Sequence, residues 1–368
     1  MLKRLYAHNF KCLQNFELKL DGLNSVFLLG KNGSGKTTIF DVVEIFQQIG
    51  RGTTSLEKLF DETSFNHNNT HLPIDFELDV VIEKKNFSYK LSIEFPIGFT
   101  HPRIKNESLF SNNKAIFQRN GGQASVNDSS NFSLDWHHIG LPLVSVRSDD
   151  EPLAIFRDWL KNIIILSPFP RRFNDLSKAE SATISREGEN IIDWARWLLS
   201  SDPSLYIEIF NFLKFRIRDL KVFKFEILGR DDKELKFTFE VDNKNFSVDF
   251  SQLSDGEKIF FLGATVIAAH INNPTTLCLW DEPDNFVGLK ELNHFITAFR
   301  KSFEASQSKG QLIMTSHNER VVNNFSDHNI FVISRSSHLS PTRVKDLESI
   351  SYDSETIIDA FDNGELDR

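Results

Sequence analysis

The stretch that most constrains this chain is SVFLLGKNGSGKTTIFDVVEIF, Ser25 to Phe46. The run SVFLL reads as a buried strand, three glycines follow within six residues, and from Lys36 the apolar residues Ile39, Val42, Val43 and Phe46 recur at helical spacing until Gly50 and Gly52. A strand that must reach a helix through GKNGSGKT turns consecutive backbone N–H groups toward one point. The helix N-terminus adds roughly half a positive charge there. Gly30, four residues, Gly35, Lys36 and Thr37 complete the phosphate-loop pattern in its required strand-and-helix context. The candidate binding set is Gly30, Lys31, Asn32, Gly33, Ser34, Gly35, Lys36, Thr37 and Thr38, with Lys36 for the β and γ phosphates and the Thr37 hydroxyl for Mg²⁺.

The remainder of the chain divides by texture. The opening LKRLYAHNFKCLQNFELKL alternates and suggests two strands leading into SVFLLG. From about residue 72 the period becomes two, as in IDFELDVVIEKKNFSYKLSIEF, which predicts an antiparallel β lobe; SNNKAIFQRNGGQASVNDSSN, residues 111–131, reads as an exposed loop or hairpin tip. Residues 151–225 mix helical periodicity with short apolar runs and suggest a helical insertion. ELKFTFEV and NFSVDF form a hairpin through DNKN, and the stretch from TTLCLWDE to NIFVISR reads strand, helix, strand, helix, strand. The expected organisation is therefore an α/β phosphate-loop lobe over 1–70 and 226–345, a β lobe over 71–150, a helical insertion over 151–225 and an acidic tail over 346–368. With 40% hydrophobic and 25% charged residues the composition is that of a globular protein, and a net charge of -9 argues against coating DNA by bulk electrostatics. Two cysteines, no apolar run long enough to span a bilayer and no signal-peptide core at MLKRLYAHNF together suggest a cytoplasmic protein.

Three further motifs carry chemistry. In LCLWDEPD an apolar strand ends at Asp281, a carboxylate suited to Mg²⁺, and Glu282 beside it is the candidate base that orients water toward a γ phosphate. MTSHN lies one strand–helix–strand unit later, so parallel strand ends could bring His317 to the same phosphates. LSDGEKIFF opens a helix: Ser254 and Glu257 have capping-box spacing, and the same loop could form part of a nucleotide site completed by another molecule.

Phosphate loop, LSDGE, DEP and TSHN in this order resemble the ABC-type ATPase heads of the SMC and RecF class. The spacing is most similar to the OLD-like single-chain ATPases, including ATPase subunits of bacterial phage-defence systems such as PARIS and Septu. REGENIIDWARWLL and NFKCLQNFELKL resemble segments of that branch too; motif cover is good over 1–50 and 185–335 and weak elsewhere. The resemblance implies an ABC-type head that hydrolyses ATP with Mg²⁺ as a dimer or higher homo-oligomer. In it Ser254 and Gly256 of one subunit cap the γ phosphate on its neighbour's loop, His317 senses that phosphate and Lys11 approaches the phosphates or sugar. Asp284 and Asn285 would communicate across the dimer. Asp255 and Glu257 stand where Gly and Gln are commoner, and a carboxylate beside a triphosphate repels. No glutamine can be placed as the usual Mg²⁺ helper, since Gln47 and Gln48 fall on the phosphate-loop helix.

About two hundred residues separate the phosphate-loop helix from LSDGE, with no heptads, which excludes long coiled-coil arms. By resemblance the first expectation is a defence ATPase holding or controlling a separate nuclease or toxin, without a membrane partner. The second is a RecF-like repair ATPase that clamps DNA. Lys214, Arg216, Arg218, Lys221 and Lys224, interleaved with Phe212, Phe215, Phe223 and Phe225, could form a nucleic-acid face, although solvated charges over an apolar face explain them more simply. Arg171 and Arg172 in PFPRRF share that ambiguity. The acidic tail reads as a frayed end, with Ile350, Ile357, Ile358 and Phe361 able to dock on a partner.

Overall fold

The computed structural model describes residues 1–127, 130–305, 309–325 and 327–367. They form two compact units, residues 1–163 with 325–368, and residues 164–324. In chain order the first unit has β1 (Leu2–His8), β2 (Phe16–Lys19), β3 (Ser25–Leu29) and α1 (Lys36–Gly50). It continues with β4 (Ile74–Ile82), β5 (Lys85–Glu94), β6 (Arg103–Ser111), β7 (Lys114–Asn120), β8 (Gln123–Val126), β9 (Ser130–Ser133) and α2 (Pro152–Lys161). The second unit holds β10 (Ile164–Leu166), β11 (Leu176–Ser177), α3 (Ile191–Ser201), α4 (Leu205–Arg216), β12 (Leu220–Leu228), β13 (Asp232–Val241) and β14 (Lys244–Asp249), followed by α5 (Asp255–Asn272), β15 (Leu277–Asp281), α6 (Leu289–Glu304), β16 (Gln311–Thr315) and α7 (Glu319–Val322). The chain then rejoins the first unit as β17 (Ile330–Ser334), β18 (Arg343–Asp346) and α8 (Ile357–Asp362).

In the first unit an eight-stranded sheet runs β2-β1-β4-β5-β6-β7-β8-β9. Ile74, Phe76, Leu78, Val80 and Ile82 of β4 all face inward, as strict alternation requires of a sheet buried on one face. Glu83 and Lys84, both at positive φ, make the tight β4–β5 turn. β3 is buried along its whole length and runs parallel to β17, which pairs antiparallel with β18. α1 buries Ile39, Phe40, Val42, Val43, Phe46 and Ile49, and Phe46 meets Phe76 and Tyr89 edge-on at 6.0 and 5.9 Å. That helix is thereby fixed against the β lobe rather than by its own propensity.

In the second unit β10, β15 and β16 are parallel neighbours, with Asp281 opposite Thr315 in the register. β11, β12 and β14 pair antiparallel with β13. The aromatic richness of the chain is spent here: Phe223, Phe237 and Phe250 surround Phe261 of α5 at 6.0, 5.7 and 5.4 Å. Trp280 sits against Phe295 and Phe299 of α6 at 5.8 and 5.0 Å.

Three segments differ from the expectations. Residues 111–131, read as a loop or tip, contain β7 and β8, hinged at Asn112–Asn113 and at Gly121–Gly122. Turn residues dominate the composition there and mask the short alternating run KAIFQ. Residues 151–225 hold β10, β11 and the start of β12 as well as three helices. The acidic tail is packed on its own chain: Leu347, Ala360, Phe361 and Leu366 are buried, and Glu365 accepts hydrogen bonds from the Asp353 and Ser354 backbone at 2.7 and 3.3 Å. Four apolar anchors outweigh the repulsion among solvated carboxylates.

Candidate functional site

The first unit carries the phosphate loop. Gly33 and Gly35 have φ of 78° and 108°, values that favour glycine, and a Cβ on Gly35 would sit 2.5 Å from Thr342 Oγ1 and 3.1 Å from Cys12 Sγ. The loop is buttressed from β18's approach: Thr342 Oγ1 donates to the Ser34 carbonyl at 2.8 Å, and the Thr342 backbone N–H donates to the Cys12 carbonyl at 2.9 Å. Lys36 is buried, its Nζ donating to the carbonyls of Gly30 and Lys31. Lys31, Asn32, Gly33 and Thr37 are exposed along the loop, and Thr38 takes the Cys12 thiol at 3.4 Å. The Ser34 hydroxyl is buried with no hydrogen-bond partner, an orphaned polar atom within the loop. Those features fit a triphosphate. Lys11 stands apart from the loop glycines in its contacts: it is left-handed, φ 48°, and its Nζ pairs with Asp41 of α1 at 2.9 Å. Both residues line a hollow of about 510 Å³ with Phe10, Gln48 and Asp61. Gln47 is buried and donates to the Ile163 carbonyl at 2.6 Å, which is a packing role.

The second unit gathers Asp281, Glu282 and His317. β15 and β16 run parallel and end together, so Thr315 Oγ1 donates to Asp281 Oδ1 and accepts the Glu282 N–H at 3.2 Å. Glu282 itself is left-handed, φ 49°, and both its oxygens are engaged: Oε1 lies 3.5 Å from His317 Nε2, and Oε2 accepts from Asn285 Nδ2 at 2.8 Å. Glu282 and His317, expected to meet from adjacent strand ends, are thus neighbours. Thr315 was not singled out in the sequence; its signal is its place opposite Asp281 in two parallel strands of known ends. Asp284 is half-buried with Oδ1 unpartnered.

Ser254 caps α5 in both directions. Its Oγ accepts the Glu257 N–H at 3.3 Å, while the Ser254 N–H and Oγ donate to Glu257 Oε2 at 2.8 and 2.7 Å. Ser254 remains exposed, and Gly256 lies against the Phe286 carbonyl, 3.0 Å from where a Cβ would stand. Four of the five basic residues of the candidate nucleic-acid face have local contacts. Lys214 donates to the Leu220 carbonyl, Arg216 stacks over Phe215, Lys221 pairs with Glu240 and Lys224 with Glu226.

Solved structures of similar fold are SMC heads. One, titled as an SmcHead bound to the C-winged helix domain of ScpA, superposes with a TM-score of 0.61 at 14% identity and covers 95% of this chain and 99% of that one. Another, an Smc head with an extended coiled coil bound to the C-terminal domain of ScpA derived from Pyrococcus furiosus, gives 0.56 at 13% identity, covering 95% and 97%. No curated protein matches the sequence. The fold is that of an α/β head of the SMC kind. A family model described as "AAA domain, putative AbiEii toxin, Type IV TA system" matches residues 25–323, and the chain belongs to that AAA family. No helix among the described residues is long and apolar enough to cross a membrane.

Proposed function

We propose that the protein is a nucleotide-gated switch that hydrolyses ATP as a dimer or higher homo-oligomer and controls a separate nuclease or toxin in an anti-phage defence system. The observation that carries the ATPase reading is the Asp281–Thr315–Glu282–His317 constellation at the paired ends of β15 and β16, in a chain that also holds a preformed phosphate loop. Lys36 leaves the Gly30 and Lys31 carbonyls for the β and γ phosphates, while loop amides from Gly30 to Thr38 cradle them. Thr37 and Asp281 are the residues that would serve as Mg²⁺ ligands, and the ion would supply positive charge against the phosphates. Glu282, steered by Asn285 and His317, takes the proton of the attacking water, and His317 reads the γ phosphate. Ser254 and Gly256 come from a second copy, with α5 adding its N-terminal partial charge.

The family's description as a putative AbiEii toxin of a type IV toxin–antitoxin system, and the resemblance to defence ATPases, support the defence reading. Lys36→Ala is expected to abolish ATP binding. Glu282→Gln should bind ATP yet turn over at least about a hundredfold more slowly, as loss of a general base implies. Phosphate-release and nucleotide-binding assays check both, and wild-type turnover by either variant refutes the assignment.

A further inference from the structure

Three features near the start of α5 have no part in the mechanism so far: the Pro170–Arg172 turn, the REGEN segment over 186–190, and the two carboxylates Asp255 and Glu257. The structure ties them together. The turn and the segment run side by side: Ser167 N–H donates to the Arg186 carbonyl at 2.8 Å, Phe169 N–H to Glu187 at 3.0 Å, and Asn174 N–H to Glu189 at 2.7 Å. Gly188, φ 79°, admits the Phe173 ring to 2.5 Å of where a Cβ would stand, and Phe173 in turn stacks on Phe250 at 6.4 Å. The arginine turn is therefore mounted rigidly on the packing beneath the α5 N-terminus. Its two arginines differ in fate. Arg172 is held by Glu187 and Glu189, whereas Arg171 is 78% exposed and its ion pair is a long one, 4.0 Å to Asp255 Oδ2.

An exposed guanidinium on this mount, 4.0 Å from the carboxylate of the residue that follows Ser254, is an answer to the charge problem at this loop. Glu257 is committed to the Ser254 cap, so Asp255 is the carboxylate that would face a triphosphate. We propose that Arg171 is delivered in trans with Ser254 to the γ phosphate on a second copy's Gly30–Thr37 loop. There it neutralises Asp255 and stabilises the charge of the transferring phosphoryl group. The guanidinium presents a planar fork of donors suited to phosphate oxygens, which an ammonium reproduces only as a point charge. REGEN, on this account, is the mount that keeps the fork in place. This inference rests on the shared-site reading above.

The experiment is complementation between inactive full-length variants. Arg171→Ala should lose ATPase activity by about tenfold or more, below the 10³–10⁵ typical of arginines supplied to phosphoryl transfer, with ATP binding by the separate copies unchanged. Arg171→Lys should recover part of it. Mixed with Lys36→Ala, Arg171→Ala should regain activity, because one composite site then has an intact loop from one copy and an intact arginine from the other. Lys36→Ala mixed with Ser254→Arg is the control. Rescue in the control but not with Arg171→Ala overturns the arginine's role and leaves the shared site standing. Absence of rescue in both mixtures overturns the shared site, and this proposal with it. Wild-type turnover by Arg171→Ala alone also overturns it.

Discussion

Glu282 holds the left-handed backbone conformation at φ 49°, between a strand that ends at Asp281 and a proline. A non-glycine residue there costs about 1–2 kcal/mol, and the cost is met locally. Its N–H donates to the Thr315 carbonyl at 3.1 Å and its carbonyl accepts from Asn285 N–H at 3.1 Å, so the turn that aims the carboxylate is closed on both sides. Strain held in this way is expected at a group whose direction matters more than its stability. Asn tolerates the left-handed region better than Gln does. Glu282→Asn should therefore be more stable than Glu282→Gln by about 0.5–1 kcal/mol, although both lack the base and both should be inactive. Urea unfolding of the two variants, compared with wild type, checks this; equal midpoints would mean the conformation is not strained in solution.

At the scale of elements, α5 joins the capped loop to the core, and its far end carries a titratable weak point. His270 is buried in the last turn, stacked on Phe303 of α6 at 4.0 Å, and Gly310 abuts its ring where any Cβ would collide. Burial lowers its pKa from 6.5 to about 4 despite a hydrogen bond that the ring donates to the Ser302 backbone, which raises it. Between those values the unfolded chain takes up a proton that the folded helix refuses, so stability is full above pH 6.5 and falls with pH down to about 4. The loss between pH 7 and 5 is about 2 kcal/mol. Urea unfolding at both pH values should show that loss in wild type and a smaller one in His270→Leu; parallel losses refute the assignment. Much at this scale was legible in advance. β1 to β5, α1, the β13–β14 hairpin and the β15-to-β17 alternation follow from periodicity and turn residues, because each buries one face of regular spacing. β10 is only three residues long and β18 four, too short to show a period, and the tail's helix depends on anchors scattered among carboxylates. At the site, Lys36, Asp281, Glu282 and Ser254 announce themselves by motif, whereas Thr315, Thr342 and Cys12 act through contacts that exist only once distant strands are paired.

For the whole molecule, the proposed switch turns on what bound ATP would make it hold. Ser254, Gly256, Phe286 and Arg171 lie around one surface of the second unit, exposed or half-exposed, and a loop that caps a phosphate has little use for this display without a second copy. A lone chain would bind ATP with Lys36 and leave these groups in water. A nucleotide-closed oligomer would bury them, and because hydrolysis breaks the bond they grip, assembly would last only as long as the γ phosphate does. Glu282→Gln should therefore trap the closed state. Expressed in the native host with its neighbouring genes intact, purified with ATP and Mg²⁺ and weighed by native mass spectrometry, it is expected as a homo-oligomer carrying a second protein of nuclease or toxin type. Omitting ATP, or adding Lys36→Ala, should release both the copies and the passenger together, as the proposed single switch for both contacts requires. A bare dimer retaining DNA would replace the effector-controlling switch with a DNA clamp. A monomer with bound ATP would reduce Ser254 to the helix cap that its three hydrogen bonds with Glu257 already make it.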